Sequence, residues 1–402
     1  MVSLPWASAR EPSIPIRRLV QLVTLPPILL GVLISFPVNA VDYLFHRPPY
    51  PFKRHLILGA LRFFQNATSV LRFVMPYDGE VDVIPKAAAK RNKTEYGVRK
   101  VPPIPDELRL PSTRLTPGME AVKTEQVPLF VVAPKDTESW KQAAPGEMCL
   151  FYVVGGGYQV GHPLSFPLTT EYVVHTGLRL FSPNYRKCLD DASGFPAPLL
   201  DMLAGLQYVI EELGFEPKNI ILVGESAGAH GVLMLARYMD DLIQTGFTRW
   251  GLPGAVFASA PWTNMLCNFE TIDSNYSKDW LAPIRRVIAP AFNRHCAGHL
   301  THPLISPALA PADDKHFTRL QDAGVRMHID CGTDEVLYDD GVRVVKTMRA
   351  QGLEVQFRIV PHGVHCEFAF ATLMSGLYKG AGFSWPLLLG DLDEMIAQLR
   401  AR

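Results

Sequence analysis

The stretch LVGESAGAHG, residues 222–231, decides how the rest of the chain is read. It overlaps an apolar, β-branched-rich run, NIILVG (219–224), and opens SAGAHGVLMLARYMDDLI (226–243), whose apolar residues recur at helical spacing. A short buried strand therefore turns directly into a helix, with Ser226 at the turn. So sharp a turn leaves no room for bulk two residues before or after the serine, and Gly224 and Gly228 stand at those places. The serine is forced to the helix N-terminus, where unpaired N–H groups and the positive end of the helix favour developing negative charge. Ser226 is thus a candidate nucleophile, and a serine hydroxyl near neutral pH needs a base.

Outward from this turn, strand and helix patterns alternate. VPLFVVAP (127–134), EMCLFYVVGGG (147–157), TGLRLFSPNYR (176–186), GAVFASAP (254–261), GVRMHIDCG (324–332) and EVQFRIVPHG (354–363) read as strands. APLLDMLAGLQYVIEEL (197–213) and DGVRVVKTMRAQG (340–352) read as helices. This order predicts an α/β fold with a mostly parallel central sheet flanked by helices. The body is expected over residues 125–402, with a cap insertion at about 262–312, since so long a connection is seldom bare loop. Residues 46–124 are proline-rich and read as a linker and cap-forming segment, with a helical pattern within 56–75.

Where a serine sits on such a strand–helix turn, the acid and then the base follow, each just beyond a later strand. CGTDEVLYDD (331–340) offers Asp334 and Glu335, and VPHGVHCEF (360–368) offers His362 and His365. Upstream, Gly155, Gly156 and Gly157 close a strand, and a glycine run lets backbone approach a ligand closely.

Together these segments resemble the hormone-sensitive-lipase-like family of α/β hydrolases, over about residues 125–400. YVVGGGY (152–158) is similar to that family's His-Gly-Gly-Gly oxyanion loop, and SPNYR (182–186) with FPAPLLD (195–201) to its Tyr-Arg and Phe-Pro-Ala segment. GESAG is its serine turn, and GTDEVLYD (332–339) aligns with its Gly-x-x-Asp-Pro-Leu-x-Asp acid motif. SAPW and ISPALA match later turns more weakly.

The resemblance implies the α/β-hydrolase fold and a carboxylic-ester hydrolase that needs no metal or organic cofactor. Ser226 falls on the nucleophile, His365 rather than His362 on the base, and Glu335 rather than the alternative Asp334 on the acid. The N–H groups of Gly155, Gly156 and Ala227 are the implied oxyanion donors. Val154 stands where the family has a histidine that steadies this loop, and Cys366-Glu367-Phe368 replaces its Gly-Phe after the base. Tyr158 and Trp262 are expected as walls of an apolar substrate pocket formed with the cap segments. Arg186 and Asp201 are expected to pair structurally. The N-terminal layout is similar to fungal membrane-anchored enzymes of the steryl acetyl hydrolase kind, which implies a small lipophilic ester such as an acetylated sterol. The same residues would serve a tailoring hydrolase or acyltransferase of secondary metabolism. A non-catalytic binding protein on this fold is a third reading, with Val154 its main support.

Lys+Arg and Asp+Glu both number 39 in 402 residues, and no basic run tracks a phosphate backbone, so nucleic acid is not an expected partner. Six dispersed cysteines form no C-x-x-C motif, so no metal site is expected, although Cys267 and Cys296 could pair in an oxidising compartment. LVQLVTLPPILLGVLISF (19–36) is uncharged and long enough for a membrane anchor within residues 1–45. A cleaved signal peptide ending near Val38 and Ala40 is the alternative. Sequons at Asn66, Asn92 and Asn275 favour glycosylation and a body facing the lumen of the endoplasmic reticulum, or secretion. Oligomeric state is not legible.

Overall fold

A computed structural model of the chain describes residues 15–70, 81–91, 93–110, 122–164, 166–281, 284, 289–290, 292–369 and 384–402. Asn92 lies outside the described residues.

The body is built on one eight-stranded sheet. Its strands are β1 (Thr94–Val101), β2 (Val127–Pro134), β3 (Cys149–Val153), β4 (Arg179–Pro183), β5 (Ile220–Glu225), β6 (Ala255–Ser259), β7 (Arg326–Gly332) and β8 (Val355–Val360). They lie in the order β1-β2-β4-β3-β5-β6-β7-β8. From β4 to β8 every neighbouring pair is parallel, while β2 runs antiparallel to both β1 and β4. The longer described helices are α1 (Pro15–His46), α2 (Phe52–Val70), α3 (Leu168–Thr176), α4 (Ala197–Gln207), α5 (Ala227–Gln244), α6 (His316–Asp322), α7 (Tyr338–Ala350) and α8 (Ser384–Arg400).

The central strands are apolar along their length because helices cover the sheet. Every residue of β3, β5 and β6 is buried. Helix α5 packs on β3, β5 and β6, α4 on β2 and β4, and α7 on β7 and β8. A parallel sheet ends with all its strand C-termini on one edge, so the loops after β3, β5, β7 and β8 share that edge.

Three sequence expectations are corrected here. Residues 94–101, assigned to the linker and cap segment, form the edge strand β1, paired with β2 from Thr94↔Pro134 to Val101↔Val127. The exposed Glu95, Arg99 and Lys100 that hid its strand pattern suit an edge, where charge discourages pairing with other chains. The cysteines are buried thiols, so Cys267 and Cys296 are not bridged. Asn275 is buried, and its Nδ2 donates to Thr333 O at 3.0 Å and Glu335 O at 2.9 Å. A glycan needs that nitrogen in solvent, so the folded protein cannot carry one at Asn275. Asn66 lies half-buried on α2, where its Oδ1 accepts from Tyr276 Oη at 2.6 Å.

Helix α1 is apolar and largely exposed: Leu22, Val23, Leu30, Leu33, Ile34 and Val38 all face outward. Its stretch Leu22–His46 is long and apolar enough to cross a membrane. Helix α2 folds back against it, with Tyr43 and Phe52 edge to face at 5.1 Å. The other side of α2 reaches the body. Arg54 Nη2 donates to the carbonyl of His362 and to Glu367 Oε2, the latter at 2.9 Å, and Arg62 Nη1 donates to the carbonyl of Ser277.

Candidate active site

Ser226 sits between β5 and α5 with φ 58° and ψ −122°, a left-handed backbone uncommon for a residue with a side chain. The flanking glycines are required by close approach. A Cβ on Gly224 would lie 2.4 Å from Gly228 O, and one on Gly228 would lie 2.0 Å from Val153 O. The Ser226 N–H is held by Ser259 O at 2.9 Å, which ties the turn to the end of β6.

His365, in the loop after β8, brings Nε2 to 2.8 Å from Ser226 Oγ. Its Nδ1 faces Glu335 Oε2 at 3.2 Å, and Glu335 Oε1 accepts the N–H of Gly332 at 2.8 Å. Hydroxyl, imidazole and carboxylate thus form one chain of hydrogen bonds, with Nδ1–H donating to the carboxylate and Nε2 open to the serine proton. His365 and Glu335 are buried, whereas Ser226 is half-buried. Burial lowers the His365 imidazole below its ordinary value, with Asp279 opposing, so the ring rests neutral at neutral pH. Burial raises the Glu335 carboxyl above its ordinary range, while the Gly332 N–H works the other way.

The two rival residues pair with each other instead. His362 Nδ1 lies 3.2 Å from Asp334 Oδ2, with the imidazole half-exposed. Arg186 and Asp201 are buried and bidentate, with Nη2 to Oδ1 at 3.0 Å and Nε to Oδ2 at 3.1 Å.

The glycine loop after β3 departs from expectation at one residue. The N–H of Gly155 donates to Glu225 Oε1 at 2.8 Å, and that oxygen also accepts from Tyr152 Oη at 2.7 Å. Gly155 is therefore corrected from oxyanion donor to loop anchor: a buried carboxylate must be hydrogen-bonded, and this N–H serves it. Among the described residues no hydrogen bond engages the N–H of Gly156 or Ala227, and Ala227 opens α5. The histidine that Val154 replaces has stand-ins: Tyr185 Oη donates to Val154 O at 2.7 Å, and Glu225 holds the next residue. Burial pushes the Glu225 carboxyl up to about 7.

Tyr158 and Trp262, expected as walls of an apolar pocket, lie buried in an aromatic cluster. Tyr158 is fully buried, donates to His230 Nδ1 at 2.7 Å and has its ring 4.7 Å from Phe292. Trp262 is buried 6.2 Å from Phe292, and its Nε1 donates to Asn264 O at 3.2 Å. Their polar atoms are thus satisfied within the protein.

The sequence reading missed Asp279. This buried carboxylate lies in the 262–312 insertion and accepts the N–H groups of both His365 and Val336. No periodicity or motif marks it. Among the described residues no group of His, Cys, Asp and Glu could hold a metal ion.

A family profile described as alpha/beta hydrolase fold matches residues 150–369, more than half of the chain. Solved structures are similar at low identity. One is an esterase/lipase from an uncultured bacterium, 19% identical over 86% of this chain and 99% of its own, with TM-score 0.58. Another is a hormone-sensitive lipase from a metagenome library, 20% identical over 68% and 81%, with TM-score 0.53. A third is carboxyl esterase 2 from the mycorrhizal fungus Tuber melanosporum, 16% identical over 77% and 88%, with TM-score 0.55. No curated protein matches the chain by sequence.

Proposed function

The chain belongs to the α/β hydrolase family, and from that premise we propose that it is a membrane-anchored serine hydrolase of lipophilic carboxylic esters. The observation that carries the proposal is the 2.8 Å contact between His365 Nε2 and Ser226 Oγ, with Nδ1 turned to Glu335. Ser226 Oγ attacks the ester carbonyl while its proton passes to His365 Nε2, and Glu335 stabilises the imidazolium that forms. The carbonyl oxygen becomes an anion that accepts the N–H groups of Gly156 and Ala227. The C–O bond to the alcohol then breaks, and His365 returns the proton to the departing oxygen. Water, deprotonated by His365, attacks the acyl carbon, the bond to Ser226 Oγ breaks, and His365 returns the proton to Oγ as the acid leaves.

Retention of α1 is supported by its continuity through Asp42, whose Oδ2 lies 2.9 Å from His55 Nε2 on α2. An anchored site draws on substrates dissolved in the membrane, and an acetylated sterol is the substrate favoured by the N-terminal layout. The test is fluorophosphonate labelling and turnover across acetylated sterols, short-chain esters and lipid esters. Ser226→Ala is expected to abolish labelling and to lower kcat by about 10^4 or more. Equal labelling of both proteins would refute the nucleophile, and turnover confined to water-soluble esters would refute the lipophilic substrate.

A further inference from the structure

We infer that residues 275–280 form a strap that fixes the acid and base of the proposed site, with Asp279 as its positioning residue. The inference rests on the hydrolase reading and adds a function for the insertion between β6 and β7.

The geometry is specific. Asp279 is fully buried. Its Oδ2 accepts the N–H of Val336, the residue after Glu335, at 2.8 Å. Its Oδ1 accepts the N–H of His365 at 3.2 Å and that of Trp280 at 2.7 Å. Trp280 Nε1 in turn donates to His365 O at 2.6 Å. Both backbone groups of the base therefore end on the dipeptide Asp279-Trp280. At the other end of the strap, Asn275 Nδ2 donates to Thr333 O and Glu335 O. One six-residue stretch thus grips the acid at its carbonyl, its successor at the N–H, and the base at both. The outer side of the strap meets α2, through Arg62 to Ser277 O and Tyr276 to Asn66.

A carboxylate without hydrogen bonds is costly to bury, so this one is tolerated only because backbone donors converge on it. Two of those donors, on Val336 and His365, belong to loops that must keep an imidazole and a carboxylate in register to a few tenths of an ångström. The two loops also meet directly, through the Asp334 N–H on Gly363 O at 2.9 Å, the His362 N–H on Thr333 Oγ1 at 2.8 Å and the His362–Asp334 pair, and Asp279 adds a bond to the backbone of the base itself. Asp279 also puts an anion beside His365, which favours the imidazolium. The other ionisable groups facing this ring are Glu335 and Cys366, whose Sγ lies 3.6 Å from Nε2. Glu225 on β5 and Asp330 on β7 lie behind Cys366, and Arg62 on α2 faces Asp279.

The experiment compares Asp279→Asn and Trp280→Phe with wild type and Ser226→Ala in full-length protein, reading kcat, KM, the pH profile of kcat/KM and the melting temperature. Asp279→Asn is expected to lower kcat by about tenfold to a hundredfold with little change in KM. Its acid limb should move to lower pH, because an anion beside the imidazole has gone. Trp280→Phe, which removes one donor and no charge, should lower kcat less and leave the acid limb in place. An Asp279→Asn protein with wild-type kcat and acid limb overturns the inference. So does one whose activity falls only in proportion to its folded fraction. If Asp279→Asn does not fold, Trp280→Phe decides: reduced kcat at unchanged melting temperature supports the strap, and wild-type kcat overturns it. Turnover independent of Ser226 would instead sink the hydrolase reading and the strap with it, whereas Ser226-dependent turnover with silent variants sinks the strap alone.

Discussion

The two flanks of Ser226 are built by opposite means. On the oxyanion flank the geometry comes from missing side chains: Gly224, Gly228 and the glycine run after β3 let three stretches of backbone touch. On the acid–base flank it comes from side chains reaching across the fold, with Asn275 bonding Glu335 O from 60 residues away and Asp279 bonding His365 N from 86. Steric fit is local and leaves a spacing in the sequence. Long-range hydrogen bonding leaves none.

The contrast can be broken first at the acid. Glu335→Gln should lower kcat by about 10^3 to 10^4, because an amide can turn its NH2 toward Nδ1 and hold the imidazole in the wrong tautomer. Asp334→Asn, which disturbs only the partner of His362, should change kcat by less than about threefold. Equal losses in the two variants would mean that the acid is not assigned to one residue.

A smaller effect sharpens the oxyanion flank. The Glu225 carboxyl is pushed up to about 7 in the folded protein, above its unfolded value, so the folded state binds this proton more tightly. Its contribution to stability is full below the unfolded value and is lost as pH rises through about 7. Glu225→Gln, which imitates the protonated side chain, should flatten the fall in melting temperature between about pH 5 and 8 relative to wild type. A variant that follows the wild-type slope would show that Glu225 does not hold the glycine loop as a titrating group.

The smallest effect is read on the wild type alone. His365 is lowered by burial, so its neutral form persists on the acidic side of the ordinary histidine value. The acid limb of kcat/KM should lie below about pH 6.5. A limb above that value would mean that Glu335 and Asp279 outweigh burial.

These differences also explain what the sequence could carry. The strands from β2 to β8 and the helices α4, α5 and α7 followed from apolar runs and glycine stops, whereas α3 and α6 did not, and Ser226 followed from two glycines where an added Cβ would collide with backbone. The edge strand β1 was hidden because exposed charges at Glu95, Arg99 and Lys100 fall on both of its faces and break the alternation. Gly155 was misread because spacing cannot show that Glu225, beside the nucleophile in sequence, would claim its N–H. The packing of Tyr158 and Trp262 near Phe292 left no trace in the sequence, because no motif marks Phe292. Asn275 read as a sequon because the sequon rule is blind to burial.

Arg54 sets a limit on how the chain can be shortened. It lies on α2, beyond the apolar stretch ending at His46, and its guanidinium meets the buried Glu367 two residues from His365. Cutting the protein behind both helices to obtain a soluble form would strand that carboxylate without its counter-charge, a loss on the order of 3–5 kcal/mol for a buried pair. A cut between His46 and Arg54 removes the apolar helix α1 and leaves the latch on the histidine loop closed.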